Sequence, residues 1–98
     1  MEDEMINANS YFDGQVQSLA FSQQDEESSV GVMLPGEYTF GTVAPERMTV
    51  IKGSLTVKLA PDGEWVTYQS GESFHVQRDA SFDLQVTQPT AYLCEYLN

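Results

Sequence analysis

Cationic side chains are scarce in this chain: four lysines and arginines stand against fifteen aspartates and glutamates, a net charge of −11 over 98 residues. A field of that sign repels phosphate backbones and anionic lipid surfaces, which argues against nucleic-acid polymers and membranes as partners. Two acidic runs, Glu2-Asp3-Glu4 and Asp25-Glu26-Glu27, fall in loop-like sequence and read as solubilising charge. Cysteine is limited to Cys94, so no intrachain disulfide can form, and no charged-then-apolar leader precedes the domain. No apolar run approaches the ~20 residues that a membrane helix needs. The expected compartment is the cytoplasm.

Metal-ligand chemistry is equally thin. Metal catalysis needs several imidazoles or carboxylates converging, and there is one histidine, His75. His75 reads as a strand residue that faces solvent or is satisfied by a neighbour, and Cys94 as a buried, inert thiol; nothing in their spacing supports a Cys–His nucleophilic pair. A phosphate loop, a Gly-x-Gly-x-x-Gly run and a Gly-x-Ser-x-Gly elbow are all missing, so nucleotide cradling and hydrolase chemistry gain no support. No stretch has the length and period of a helix.

What is present is a globular composition, 41% apolar with five tyrosines, five phenylalanines and one tryptophan spread along the chain. This makes one domain with a thin core, because a chain of this size hides only about 60–65% of its unfolded surface. Residues 1–10 are polar and acidic and are expected as a loosely held arm, with residues 11–98 forming the domain.

The centre of the pattern is Met48 to Leu59, two β-type runs hinged on Lys52-Gly53. Around it, strands are predicted at Val16–Phe21, Val30–Leu34, Glu37–Phe40, Trp65–Tyr68, Ser73–Val76, Ser81–Val86 and Thr90–Tyr96. Gln23 to Ser29 reads as a charged turn, and Pro35-Gly36 as the tight turn of a hairpin between its flanking strands. The predicted interior takes Leu55, Val57, Leu59, Phe82, Leu84 and Val86, with Trp65 in the core or at an interface. About nine short strands with no covering helix leave an all-β closed barrel or two-sheet jelly roll of short antiparallel strands. Of the glutamates that could act as a general acid or base, Glu37, Glu46, Glu72 and Glu95, only Glu46 gains from further context.

That context is a resemblance. Glu46 with Gly53 seven residues on, inside strand–turn–strand, followed by Ser70 to Val76 as a second turn into a strand, looks like the two-motif scaffold of a cupin. Phe40 and Thr42 stand where a metal cupin carries its histidines. More closely, Tyr11-Phe12, Ser29 to Met33, Gly36 to Phe40, Met48 to Ile51, Phe82 to Val86 and Tyr92 to Cys94 resemble the small cupin-type pyrimidine/purine nucleoside phosphorylases of bacteria. Gln77-Arg78 departs from that pattern, where the family carries a Pro-Gly turn.

The resemblance implies a single cupin-like β-barrel and a homodimer. It also implies phosphorolysis of purine and pyrimidine nucleosides to free base and ribose 1-phosphate, with inorganic phosphate as co-substrate and no metal or other cofactor. The substrate-binding set it suggests is Glu46 or Gln85 on ribose hydroxyls, Tyr38 and Tyr92 as an aromatic face or hydroxyl, and Thr42 and Thr49 toward phosphate. None of Arg47, Lys52, Lys58 and Arg78 falls at a clear phosphate position. A cupin that binds a nucleoside or sugar without turning it over is the alternative.

Overall fold

The computed structural model describes residues 6–97, which form ten β-strands and no helix. They are β1 (Asn7–Tyr11), β2 (Val16–Gln23), β3 (Glu26–Met33), β4 (Gly36–Gly41), β5 (Glu46–Lys52), β6 (Ser54–Lys58), β7 (Trp65–Gln69), β8 (Ser73–Val76), β9 (Ser81–Val86) and β10 (Thr90–Tyr96). Two antiparallel sheets result: six strands in the order β1-β2-β3-β10-β5-β8, and four in the order β4-β9-β6-β7. Alternation decides which side chains face inward. On β10, Tyr92 and Cys94 are buried; on β5, Met48 and Val50; on β9, Phe82, Leu84 and Val86; on β6, Leu55 and Val57. These residues of both sheets form one apolar cluster, completed by Val16, Met33, Tyr38, Phe74 and Val76.

Several expectations are corrected. Pro35-Gly36 does not close a hairpin: β3 pairs with β2 and β10, whereas β4 pairs with β9, so this turn carries the chain from one sheet to the other. Lys52-Gly53 does the same between β5 and β6. Gly53 is required there, since its φ is +105° and a Cβ would lie 2.5 Å from the Thr90 hydroxyl. The charged turn expected over Gln23 to Ser29 shrinks to Gln24-Asp25, both at positive φ, the geometry that matches the twist of a two-residue hairpin. Leu59 lies beyond the end of β6 and is exposed. Trp65 is exposed on β7, an edge strand, with the Lys58 ammonium 5.3 Å over its ring.

Of the arm expected over residues 1–10, residues 1–5 lie outside the described residues, and Asn7 to Ser10 belong to β1, paired with β2 from Asn7↔Ala20 onward. No helix among the described residues is long and apolar enough to cross a membrane.

Candidate functional site

Inward-facing residues are apolar along most of the sandwich, and at one end they are not. Where β10 finishes and β3 and β5 begin, the register brings polar side chains together. Cys94 stands opposite Ser29 on β3, and Tyr96 opposite Glu46 on β5. With Ser18 and Tyr92 they line a cavity of about 170 Å³, whose apolar wall includes Met33, Met48 and Phe82 and whose rim includes Tyr11, Phe40 and Gly41. Tyr92 and Cys94 are buried, while Tyr11 and Tyr96 are partly open to solvent, so the cavity has a floor and a mouth.

A glycine shapes its wall. Tyr92 pairs with Gly31, and a Cβ at Gly31 would sit 2.5 Å from the Tyr92 hydroxyl and 2.8 Å from the Gln17 carbonyl. The bare backbone lets the tyrosine ring lie across the neighbouring strand, the use of glycine inside a strand that close approach demands.

The electrostatics follow from desolvation. Burial pushes the Glu46 carboxyl above its ordinary value, opposed by the Cys94 thiol, which donates to Glu46 Oε1 at 3.4 Å. Burial, and then the adjacent Glu46, push Cys94 upward, so it is a thiol donor and not a thiolate nucleophile. Burial likewise raises Tyr92, and it takes Tyr96 to about 12, opposed there by the Ser29 hydroxyl 3.5 Å away. The cavity therefore offers neutral hydroxyl and thiol donors around a single carboxyl group.

Cations point elsewhere. Arg47, one residue after Glu46, faces the opposite side of its sheet and donates through Nε and Nη2 to Glu95 Oε1 at 2.8 and 2.6 Å. Arg78 stands exposed beside Asp79 at 3.7 Å. Among the described residues, no three His, Cys, Asp or Glu side chains come together as a metal-holding group.

Of the six substrate-binding residues expected from the sequence, the fold brings Glu46 and Tyr92 into this cavity. Tyr38 does not line it: its hydroxyl donates to the Leu34 carbonyl at 2.6 Å, its ring lies beside Phe12 and Phe40, and it borders a depression on the four-stranded sheet. Thr42 is buried in a turn, donating to the Gln77 carbonyl at 2.6 Å and accepting from the Ala80 N–H at 3.0 Å. Thr49 shares a hydrogen bond with Ser73 at 2.7 Å on the outer face of the six-stranded sheet. Gln85 borders a shallow depression on the other sheet, with Glu37, Thr39 and Trp65. His75 is exposed opposite Arg47 while Cys94 points inward, so the two do not meet.

Sequence reasoning missed Ser18, Ser29 and Tyr96 as cavity residues. The signal was present in the inward phase of β10, residues 92, 94 and 96, but only the pairing with β3 and β5 shows what that phase faces.

Fold and cavity together define a two-sheet all-β domain with a small, partly polar cavity between its sheets. Residues 6–96 match the sequence profile described as "Pyrimidine/purine nucleoside phosphorylase", and the chain belongs to that family. A Vibrio vulnificus (strain YJ016) protein of that name is 68% identical over 93 residues, 95% of this chain and 100% of its own length. Among solved structures, a protein of unknown function from Vibrio parahaemolyticus superimposes with a TM-score of 0.92 at 63% identity, covering 95% of this chain and 99% of that one. A second, of the DUF1255 group from Acinetobacter sp. ADP1, gives a TM-score of 0.89 at 29% identity, covering 99% and 97%.

Proposed function

We propose that this chain catalyses metal-independent phosphorolysis of purine and pyrimidine nucleosides in the cavity at the end of a cupin-like sandwich. An oxygen of hydrogen phosphate forms a bond to the anomeric carbon of the ribose, the glycosidic C–N bond breaks, and its electron pair leaves with the base nitrogen, which takes the proton that the phosphate gives up. The products are the free base and ribose 1-phosphate.

The observation that carries this reading is the half-buried Glu46 carboxyl in a cavity otherwise lined by neutral donors and apolar side chains. As the glycosidic bond lengthens, positive charge builds on the ribose ring. A fixed carboxylate in a poorly solvated site stabilises that charge far better than water does. The same carboxylate accepts hydrogen bonds from ribose hydroxyls, a role that Gln85, on the other depression, is not placed to share. With no cation among the residues of its wall, phosphate is held by hydroxyl donors of the lining, Ser18 and Tyr92 among them. Alignment and electrostatics are the whole of the catalytic apparatus, and no covalent nucleophile is involved.

The outer face of the six-stranded sheet supports a homodimer. Leu19, Phe21, Val30, Val32 and Ile51 are all at least a third exposed and share that face, a contiguous apolar surface of the kind that marks interfaces. The same reading places the enzyme in the cytoplasm, where nucleosides and phosphate are at hand.

The test is to incubate purified protein with uridine, adenosine, guanosine and inosine, with and without phosphate and with and without a chelator. Free base and ribose 1-phosphate are followed by chromatography. Phosphate-dependent release insensitive to the chelator is expected. The absence of a cavity cation favours one other reading, a nucleoside-binding protein without turnover; binding of a nucleoside with no base release would establish it.

A further inference from the structure

A void on the order of 150 Å³ holds a single six-membered ring. The cavity, about 170 Å³ and open to solvent at its mouth, is of that size. On the phosphorylase reading, one ring of the substrate enters it and the other stays at the mouth. Inside it the half-buried Glu46 with the buried Cys94 and Ser29 suit a ribose carrying hydroxyls, beside the Ser18 and Tyr92 hydroxyls given to phosphate. The mouth is aromatic.

We propose that Tyr11 at this rim, backed by Phe40 and Phe12, forms a stacking platform for the substrate base, which is recognised by its ring faces and not by hydrogen bonds to its edges. This rests on the phosphorylase reading and extends it to the base. Tyr11 lines the cavity and is 43% exposed, leaving ring surface available. Its ring meets Phe40 edge-on, with centroids 6.0 Å apart and planes at 85°. Phe12 meets Phe40 at 5.5 Å and 87°, and lies 5.0 Å from Tyr38.

The backbone is bent to make this arrangement. Phe12, Asp13 and Gly14 take φ values of +54°, +56° and +88° in succession. A bulky aromatic in the left-handed region is a genuine outlier, and such outliers persist only where the surroundings enforce them. Here the turn is fastened by the Gly14 N–H on the Tyr11 carbonyl and the Gln15 N–H on the Phe12 carbonyl, both at 3.1 Å, and by the Leu34 N–H on the Gln15 carbonyl at 2.9 Å. The result folds the end of the β1–β2 hairpin over β4, so that aromatic rings from two sheets meet at the cavity mouth. Every nucleobase has a π-face, so a platform of this kind accepts purines and pyrimidines alike.

The experiment compares the wild type with Tyr11→Ala and Tyr11→Phe in steady-state phosphorolysis of adenosine and uridine, with nucleoside binding measured by calorimetry alongside. Base–aromatic stacking predicts that Tyr11→Ala raises the nucleoside KM for both substrates by roughly 5- to 100-fold, leaves the phosphate KM in place, and is rescued by Tyr11→Phe. An unchanged nucleoside KM in Tyr11→Ala would overturn the platform, and so would an equal defect in Tyr11→Phe, which would assign the effect to the hydroxyl. Should the wild type release no base at all, the phosphorylase reading fails. Calorimetry then decides the platform by itself: weaker nucleoside binding by Tyr11→Ala than by the wild type and Tyr11→Phe supports it, and equal binding, or none by any of the three, overturns it.

Discussion

Glu46 carries opposed demands. Its folded-state pKa lies above its ordinary value because burial penalises the charge, so the folded chain holds that proton more tightly than the unfolded chain does. The associated stability is fully present below the unfolded value of about 4.3 and is lost as pH rises through the folded pKa. Above that point the ionised carboxylate costs stability. Glu46→Gln is accordingly expected to melt at the same temperature as the wild type or higher at pH 7, with the difference closing toward pH 4 in thermal scans across that range. The proposed catalysis needs the ionised form. The kcat/KM of the wild type should then fall as pH drops through the raised Glu46 pKa, and Glu46→Gln should lack that limb. Gly31 is the second residue with a sharp expectation. In Gly31→Ala the added methyl meets both the Tyr92 ring and the Gln17 carbonyl, and overpacking of this sort costs about 1–3 kcal/mol. Thermal unfolding should report a loss of roughly 4–8 °C per kcal/mol for a domain of this size. An unchanged melting temperature would mean that Tyr92 does not lie across β3.

Strands β2 to β10 were legible in the sequence one by one, but β1, expected within a loose arm, and the pairing partners of them all were not. Period-two alternation in Leu55–Val57 and Phe82–Leu84–Val86 marks buried faces, and the structure buries these residues. Pro35-Gly36 and Lys52-Gly53 carry turn chemistry that is the same whether the next strand pairs with the last or crosses to another sheet; only the long-range register decides. For that reason Glu46 was visible as the glutamate in a family-like context, while Ser18, Ser29 and Tyr96 were not: their meeting depends on β10 pairing back with the distant β2–β3 hairpin. Thr42 shows the same limit. Its hydroxyl stitches the β4–β5 turn to the β8–β9 turn through the Gln77 and Ala80 backbone. Thr42→Val keeps the shape and leaves the half-buried Ala80 N–H without that partner, at a cost of about 1 kcal/mol. Denaturant unfolding should show this loss, with the phosphate KM of the folded fraction moving little.

The whole molecule places a single carboxylate in a small inter-sheet cavity and sends its cations outward, within a chain of net charge −11. The outer apolar face of the six-stranded sheet predicts a dimer mass by light scattering at micromolar concentration, and Val32→Glu, at its centre, should shift the mass to that of a monomer. The proposed reaction sets a ribose against Glu46, with no other charged side chain among the described residues of the cavity wall. It is tested most directly by following ribose 1-phosphate with phosphorus NMR in mixtures of a nucleoside, phosphate and either the wild type or Glu46→Gln. The account predicts steady formation by the wild type and, from the loss of one preorganised electrostatic partner, a rate lower by about 10²–10³ in a folded Glu46→Gln. Equal rates from the two proteins would contradict it.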